Sequence, residues 1–327
     1  MDYFKKYQAD DLGNLIKTRQ NELKLGEKVH IGDMKEQYVI IGIPESIGVK
    51  ANFGIGGTET LWAAFLSSFL NIQSTEKLSG EDVSILGYFD FSDVQWIAKS
   101  VNPRNGFGNP LSVEDIDNAV EKIIIEIVEK GKIPIVIGGG HNNAYPILKG
   151  LSKVKKQAIN AINLDAHSDF RQKEGRHSGN GFRYAYTEGY LKKYAMIGLH
   201  ENYNAQNIIQ EMSENPDIDY TLYEDIFVRE KINFVQAILK AIDFTKKAPT
   251  GIELDLDCIE NTLSSAVSPC GISTLQARQY LYQTAKNCAV AYLHITEGAT
   301  QLDNGLSNPL TGKLVSYLVS DFLKAVV

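Results

Sequence analysis

The chain is 327 residues long and 43% hydrophobic, with 33 Lys and Arg against 40 Asp and Glu for a formal net charge of −7. That length and apolar content are enough to bury a sizeable core, while the mild acidity and the lack of any dense basic block argue against a nucleic-acid partner. The start, MDYFKKYQADDLGNLIK, has no apolar h-region, and no segment approaches the roughly 18 apolar residues of a membrane span, so a cytoplasmic protein with no membrane partner is expected. Cys258, Cys270 and Cys288 are odd in number and lack CxxC spacing, which predicts reduced thiols and neither a disulfide framework nor a zinc knuckle.

Apolar, β-branched runs alternate with helical patterns from one end to the other, the mark of βαβ units and a mainly parallel sheet. YVIIGI (38–43) and VSILGYF (83–89) are the first strand candidates. VEDIDNAVEKIIIEIVEKG (113–131) carries Ile and Val at three- and four-residue steps and has Gly131 as a stop, which predicts an amphipathic helix. Further strands are expected at IPIVIGG (133–139), AINAINLD (158–165), YAMIGL (194–199), DYTLY (219–223), GIELDLD (251–257) and AYLHI (291–295). NPLTGKLVSYLVSDFLKAV (308–326) closes the chain as a helix. No repeat, low-complexity tract or linker breaks this rhythm, so a single domain over 1–327 is expected. Eight strand candidates fit an open doubly wound sheet or a (β/α)8 barrel, and periodicity does not separate the two. In both, chemistry gathers at the carboxyl ends of strands.

Three such ends carry ionisable residues. IPIVIGGGH ends in three glycines and His141. A short glycine run alone is a tight turn as readily as a phosphate loop, and no lysine follows it. A lone histidine more often satisfies a core or a cap than a metal. AINAINLDAHSD ends in Asp165, His167 and Asp169 with small Ala166 and Ser168 between them, and period-two spacing predicts all three on one side of an extended backbone. The bland alternative, two capping carboxylates beside a solvated histidine, would gather uncompensated negative charge at a strand edge. GIELDLDCIE alternates Glu253, Asp255 and Asp257 with apolar residues. On a half-exposed sheet that would be a solvated face. With both faces covered, the three acids would be desolvated and mutually repelling, so positive charge is expected beside them.

Together His141, Asp165, His167, Asp169, Asp255 and Asp257 offer two imidazoles and four carboxylates, a set that two divalent ions neutralise. Its oxygen-rich character suits Mn2+ better than structural zinc. A metal pair about 3.5 Å apart bridges a water, lowers its pKa and holds it against an electrophilic carbon.

GGGH, DAHSD and the DLD strand, in that order, resemble the three metal motifs of the ureohydrolases: arginase, agmatinase and formimidoylglutamase. The resemblance extends to GIPESIGVKANFGIGG (42–57) and HITEGA (294–299). It implies an arginase-like α/β fold of three layers, α/β/α, with a mainly parallel, roughly eight-stranded sheet. It also implies two Mn2+ per subunit, a small-molecule amidine substrate and a homo-oligomer. By the same resemblance His141 and Asp169 hold one manganese, His167 and Asp257 the other, and Asp165 and Asp255 bridge them. A bridging hydroxide, oriented by Asp169, would then attack a guanidino or formimino carbon. Glu297 matches the glutamate that receives the substrate's cationic C–N group, since a carboxylate fixes an amidinium through paired charge-assisted hydrogen bonds. In RHSGNGF (176–182), His177 compares with a proton-shuttling histidine of arginases, although Ser178 stands directly before the glycine here, and Asn180 is a further substrate contact.

Arg171 stands two places after the last ligand of DAHSD, where arginases tend to have asparagine, and suits a substrate bearing a carboxylate. With GVKANFGIGG it resembles the formimidoylglutamase pattern. The expected reaction is therefore hydrolysis of N-formimidoyl-L-glutamate to glutamate and formamide, a step of histidine degradation. Arginase or agmatinase activity, each releasing urea, is the alternative; an inert metal-binding scaffold and a metal-free nucleotide-binding protein are readings of other classes. Departures from the family pattern surround the pocket: Glu253 where Ser or Thr is usual, Glu260 and Asn261 in place of an acid and a proline, Cys270 between Pro269 and Gly271, and Ile55 for an arginine.

Overall fold

The computed structural model describes residues 3–92 and 110–326, with side chains from Val113 onward in the second stretch. Two short strands open it, β1 (Phe4–Lys6) and β2 (His30–Ile31). The eight expected strands follow as β3 (Tyr38–Gly42), β4 (Val83–Phe89), β5 (Ile133–Ile137), β6 (Ile159–Leu164), β7 (Leu191–Leu199), β8 (Ile218–Leu222), β9 (Thr250–Asp255) and β10 (Val290–Thr296). β1 and β2 are too short and too exposed to leave a periodic signal, which is why the sequence did not announce them.

All ten strands form one sheet in the order β1-β4-β3-β5-β10-β9-β6-β7-β8, with β2 also beside β4. Its two ends do not meet, which decides for the open sheet over the barrel. Only β1 runs antiparallel to its neighbour. Helices cover both faces, as in a three-layer fold. Leu61–Phe69, Phe234–Thr245, Thr274–Asn287 and Leu310–Ala325 pack on one side. Pro110–Glu129, Ala144–Lys155, Gly181–Thr187 and Gln206–Glu214 pack on the other. Strand residues alternate between the two cores: Ile135, Ile137, Ile162, Leu164, Ile252 and Leu254 face the first, while Val136, Ala161 and Met196 face the second. Each such buried Ile or Leu contributes about 1.5–3 kcal/mol. Side-chain caps fix where helices begin, with Asn233 accepting from the Gln236 amide and Ser273 from that of Gln276. No helix among the described residues is long and apolar enough to cross a membrane.

The strand order positions the site. The chain builds outward through β3 and β4, returns to β5, then passes over two places to reach β6, and β9 and β10 later fill the gap. β5, β10, β9 and β6 are thus parallel neighbours in the middle of the sheet. A crevice is expected at their carboxyl ends, where the winding direction reverses.

Candidate metal centre

After β5, Gly138 and Gly139 turn the chain at φ of +92° and +77°, conformations that side-chain-bearing residues adopt only with strain. The buried Glu45 carboxylate braces this turn. It accepts from the Gly140 amide at 2.9 Å and Asn143 Nδ2 at 2.8 Å, and on its other oxygen from the Ile47 amide at 2.6 Å. His141 then begins a single 3-10 turn, His141–Asn143, with its side chain buried.

β6 ends at Leu164, so the extended backbone expected through DAHSD does not occur. Instead Asp165 Oδ1 accepts from the His167 amide at 2.7 Å, and Asp169 takes a left-handed φ of +45°. Asp165, His167 and Asp169 therefore meet through a side-chain-capped turn and not through a shared strand face. The same turn recurs at β9, where Asp255 Oδ1 accepts from the Asp257 amide at 2.8 Å and Asp257 lies beyond the strand in the 3-10 turn Leu256–Cys258.

All six expected ligands converge. His141 Nδ1 stands 2.9 Å from Asp169 Oδ2, 3.1 Å from Asp255 Oδ2 and 3.3 Å from Asp165 Oδ2. His167 Nδ1 stands 3.0 Å from Asp257 Oδ2 and 3.7 Å from Asp165 Oδ1. They fall into two groups that share Asp165: His141, Asp165, Asp169 and Asp255, and Asp165, His167 and Asp257, with donor atoms within 4.8 Å of one another in each. Asn163 Nδ2 holds Asp165 Oδ2 at 2.9 Å and also donates to Tyr194, whose hydroxyl reaches the Ser168 carbonyl at 3.0 Å.

The electrostatics of these side chains test whether cations fit. Burial, Asp257 and Asp165 push the Asp255 carboxyl well above the usual range, and burial with Asp165 pushes Asp169 up to about 6. Burial opposes the charged form of both imidazoles, yet the surrounding carboxylates hold His141 and His167 well above their ordinary value. Burial would raise Asp165 too, but hydrogen bonds from His141 and His167 outweigh it and hold it below the carboxylate range. Protons are thus drawn into the cluster wherever positive charge is short. Asp257 Oδ1 is buried with no hydrogen-bond donor among the described residues. A donor set of carboxylate oxygens and two Nδ1 atoms, short of positive charge and with an unused oxygen, fits two divalent cations.

The cluster floors a cavity of about 680 Å3 whose lining includes His167, Asp169, Asp255, Asp257 and Glu297. Glu297 follows β10 at φ +63° and accepts from the His141 amide through Oε1 at 2.8 Å. Its Oε2 is buried without a well-formed hydrogen bond. Burial, with Asp169 and Asp257 nearby, pushes this carboxyl up to about 8.

The family model described as the arginase family matches residues 36–322, a stretch that holds every one of these residues. The chain belongs to the arginase family. Among curated arginase-family relatives, the formimidoylglutamase of Macrococcus caseolyticus is 27% identical over 310 residues, covering 93% of this chain and 89% of that protein. A Streptococcus pyogenes formimidoylglutamase is 26% identical over 221 residues, 64% of this chain and 66% of its own. In three dimensions the chain is similar to Trypanosoma cruzi formiminoglutamase crystallised with Mn2+, at a TM-score of 0.75 and 20% identity over 93% of this chain and 98% of that one. The formimidoylglutamase of Bacillus subtilis gives 0.75 and 17% over 94% and 93%. At these identities the solved structures establish the arginase-like fold.

Around the rim of this arginase-family pocket the expectations divide. Arg171 lines the mouth, half exposed, with Nη2 3.0 Å from Glu174 Oε1. His177 and Asn180 are buried outside the cavity lining. His177 Nδ1 accepts from the Gly179 amide at 3.1 Å and Nε2 faces Glu174 at 3.4 Å; burial and the Arg171 charge push its pKa down to about 4. The imidazole is thus turned into its own loop, with Nδ1 on the Gly179 amide and Nε2 toward Glu174. Asn180 spends both donors on the Gly175 and Gln172 carbonyls, and its oxygen accepts from Arg176 and the His177 amide. Asn52, by contrast, lines the cavity and donates to Ser178 Oγ at 3.3 Å.

Sequence reasoning missed Glu45, Asn163 and Tyr194. Asn163 left a signal, a polar residue inside the otherwise apolar INAINL, two places before the first ligand. Glu45 lay in the quoted GIPES stretch but had no partner in the sequence that could reveal its role.

Proposed function

We propose that this arginase-family chain is a dinuclear-manganese hydrolase that cleaves N-formimidoyl-L-glutamate to glutamate and formamide. The observation that carries the proposal is the convergence of six metal-grade side chains, in two groups sharing Asp165, on one cavity with the unused Oε2 of Glu297. In this reading His141 and Asp169 would hold one cation and His167 and Asp257 the other, with Asp165 and Asp255 available to both. When bound, the two cations supply Lewis acidity and lower the pKa of water at the site.

The chain's own residues do the rest. Glu297 Oε2 accepts N–H from the substrate's amidinium and orients its carbon over the cluster. Asp169, which lines the same floor, accepts a hydrogen bond from the attacking water. Water adds to the amidine carbon, the bond from that carbon to the glutamate nitrogen breaks, and the nitrogen leaves as an amine. Arg171 at the mouth meets the carboxylate end, displacing its contact with Glu174. The full-length similarity to the Macrococcus caseolyticus formimidoylglutamase supports this substrate over arginine or agmatine.

The test is metal dependence. Purified protein stripped by chelation and dialysis should release no glutamate from N-formimidoyl-L-glutamate, and release should return on adding Mn2+. Equal glutamate release before and after verified metal removal would overturn the proposal.

A further inference from the structure

Directly under the metal centre, β9 and β10 bury a second polar cluster. Their register places Glu253 opposite His294 and Gly251 opposite Tyr292. Glu253 Oε1 accepts from the Tyr292 hydroxyl at 2.5 Å, and Oε2 lies 2.7 Å from His294 Nδ1. The same Oε2 stands 3.4 Å from Nε2 of His141, a buried nitrogen that makes no formed hydrogen bond among the described residues, while Nδ1 of that ring faces Asp165, Asp169 and Asp255. The side chains of Glu253, His294 and His141 are completely buried, and Phe182 closes over the His141 ring with centroids 5.0 Å apart. Gly251 makes room for the donor: a Cβ there would stand 2.1 Å from the Tyr292 ring.

A buried carboxylate is costly unless hydrogen-bonded, and here Tyr292 and His294 hold it without help from His141. The carboxylate is therefore fixed before any cation arrives. A neutral imidazole carries one proton, and the partner of one nitrogen decides which nitrogen is left to bind a metal. We infer that Glu253 is a positioning residue for the metal centre: held by Tyr292 and His294, it takes the Nε2–H of His141 and so presents Nδ1 to the cation. This rests on the dinuclear reading above. It also gives a role to the residue that most conspicuously departs from the Ser or Thr usual at this position.

The test is a Mn2+ titration, followed by the electron paramagnetic resonance of free Mn2+, on wild type and Glu253→Gln, with circular dichroism as a check on folding. Wild type should bind two ions per chain. The variant should bind one with wild-type affinity and the other about 10–100-fold more weakly, the usual cost of losing a carboxylate behind a ligating histidine. A purely structural role would lower the melting temperature without separating the two affinities. Two unchanged sites in a folded Glu253→Gln overturn the inference while leaving the dinuclear reading intact. Fewer than two ions in wild type overturn that reading and the inference with it. A third ion, lost in His294→Gln, would show that His141, Glu253 and His294 bind a metal themselves, which also overturns it. Should Glu253→Gln not fold, nitrogen-15 spectra of histidine-labelled wild type loaded with diamagnetic Zn2+ decide. His141 should show a protonated Nε2 and a metal-shifted Nδ1, and the reverse assignment overturns the inference.

Discussion

Asp169 and Glu297 both hold left-handed backbone conformations, φ +45° and +63°, at the floor of the cavity. For residues with a Cβ such conformations cost about 1–3 kcal/mol each and persist where surrounding structure enforces them. At Glu297 the enforcement is visible, in the His141 amide on Oε1 and the Glu297 amide bonded to the Gly139 carbonyl at 2.9 Å. Glu297→Gln keeps that shape and removes the charge that the carboxyl would take on once a cationic amidinium offsets its burial. It should lower kcat/KM by about 10–100-fold through loss of about 1.5–3 kcal/mol of charge-assisted hydrogen bonding, with the Mn2+ content unchanged. Steady-state kinetics with metal analysis would check this, and a variant as active as wild type would remove Glu297 from substrate binding. The identities of such residues were legible as candidates because a hard divalent cation or an amidinium calls for carboxylates or imidazoles whatever the backbone does. Their supporting contacts were not: Glu45 and Asn163 act through hydrogen bonds to residues fixed only by the fold.

The segment from Arg171 to Asn180 shows how far a motif can be read before its backbone is known. RHSGNGF suggested, by resemblance, a proton shuttle and a substrate contact, and the loop folds inward around Arg176. That guanidinium pairs with buried Asp117 at 2.9 Å, bonds Asn180 and the Asn142 carbonyl, and stacks between Tyr145 and Tyr184. His177 and Asn180 follow it into the interior, while Arg171, Gln172, Glu174, Ser178 and Gly179 line the cavity. A pH prediction follows from His177. Burial and Arg171 hold its pKa at about 4 in the fold, below the ordinary 6.5. Between those values the unfolded chain takes up a proton that the native loop refuses, so this histidine contributes stability that is lost as pH falls from about 6.5 to about 4. His177→Gln should melt with a shallower fall across that window than wild type. Parallel melting curves for the two proteins would contradict the burial assigned to the imidazole. DAHSD and DLD were similarly legible as candidate ligands but not as turns, because period-two spacing also fits the Asx turns that Asp165 and Asp255 form.

Across the molecule, the parallel sheet was readable from its eight apolar runs, since a strand covered on both faces needs little but β-branched and aliphatic residues. Choosing an open sheet over a barrel was not, because closure depends on which strands pair. Strand order turns out to carry the function: β9 and β10, late in the chain, insert between β5 and β6 and bring their acids to GGGH and DAHSD. On the proposed dinuclear reading, four clustered Asp would make the fold depend on bound cations. Stripping the metal should lower the melting temperature at neutral pH, and free Mn2+ at about 100 times Kd should restore about 2.7 kcal/mol per site. An unchanged melting curve after verified removal would speak against the cluster. The most direct measurement is a side-by-side product assay of the Mn2+-loaded protein on N-formimidoyl-L-glutamate, arginine and agmatine. Glutamate and formamide from the first alone are expected, and urea from either of the others, with no glutamate from the first, would contradict the proposed function.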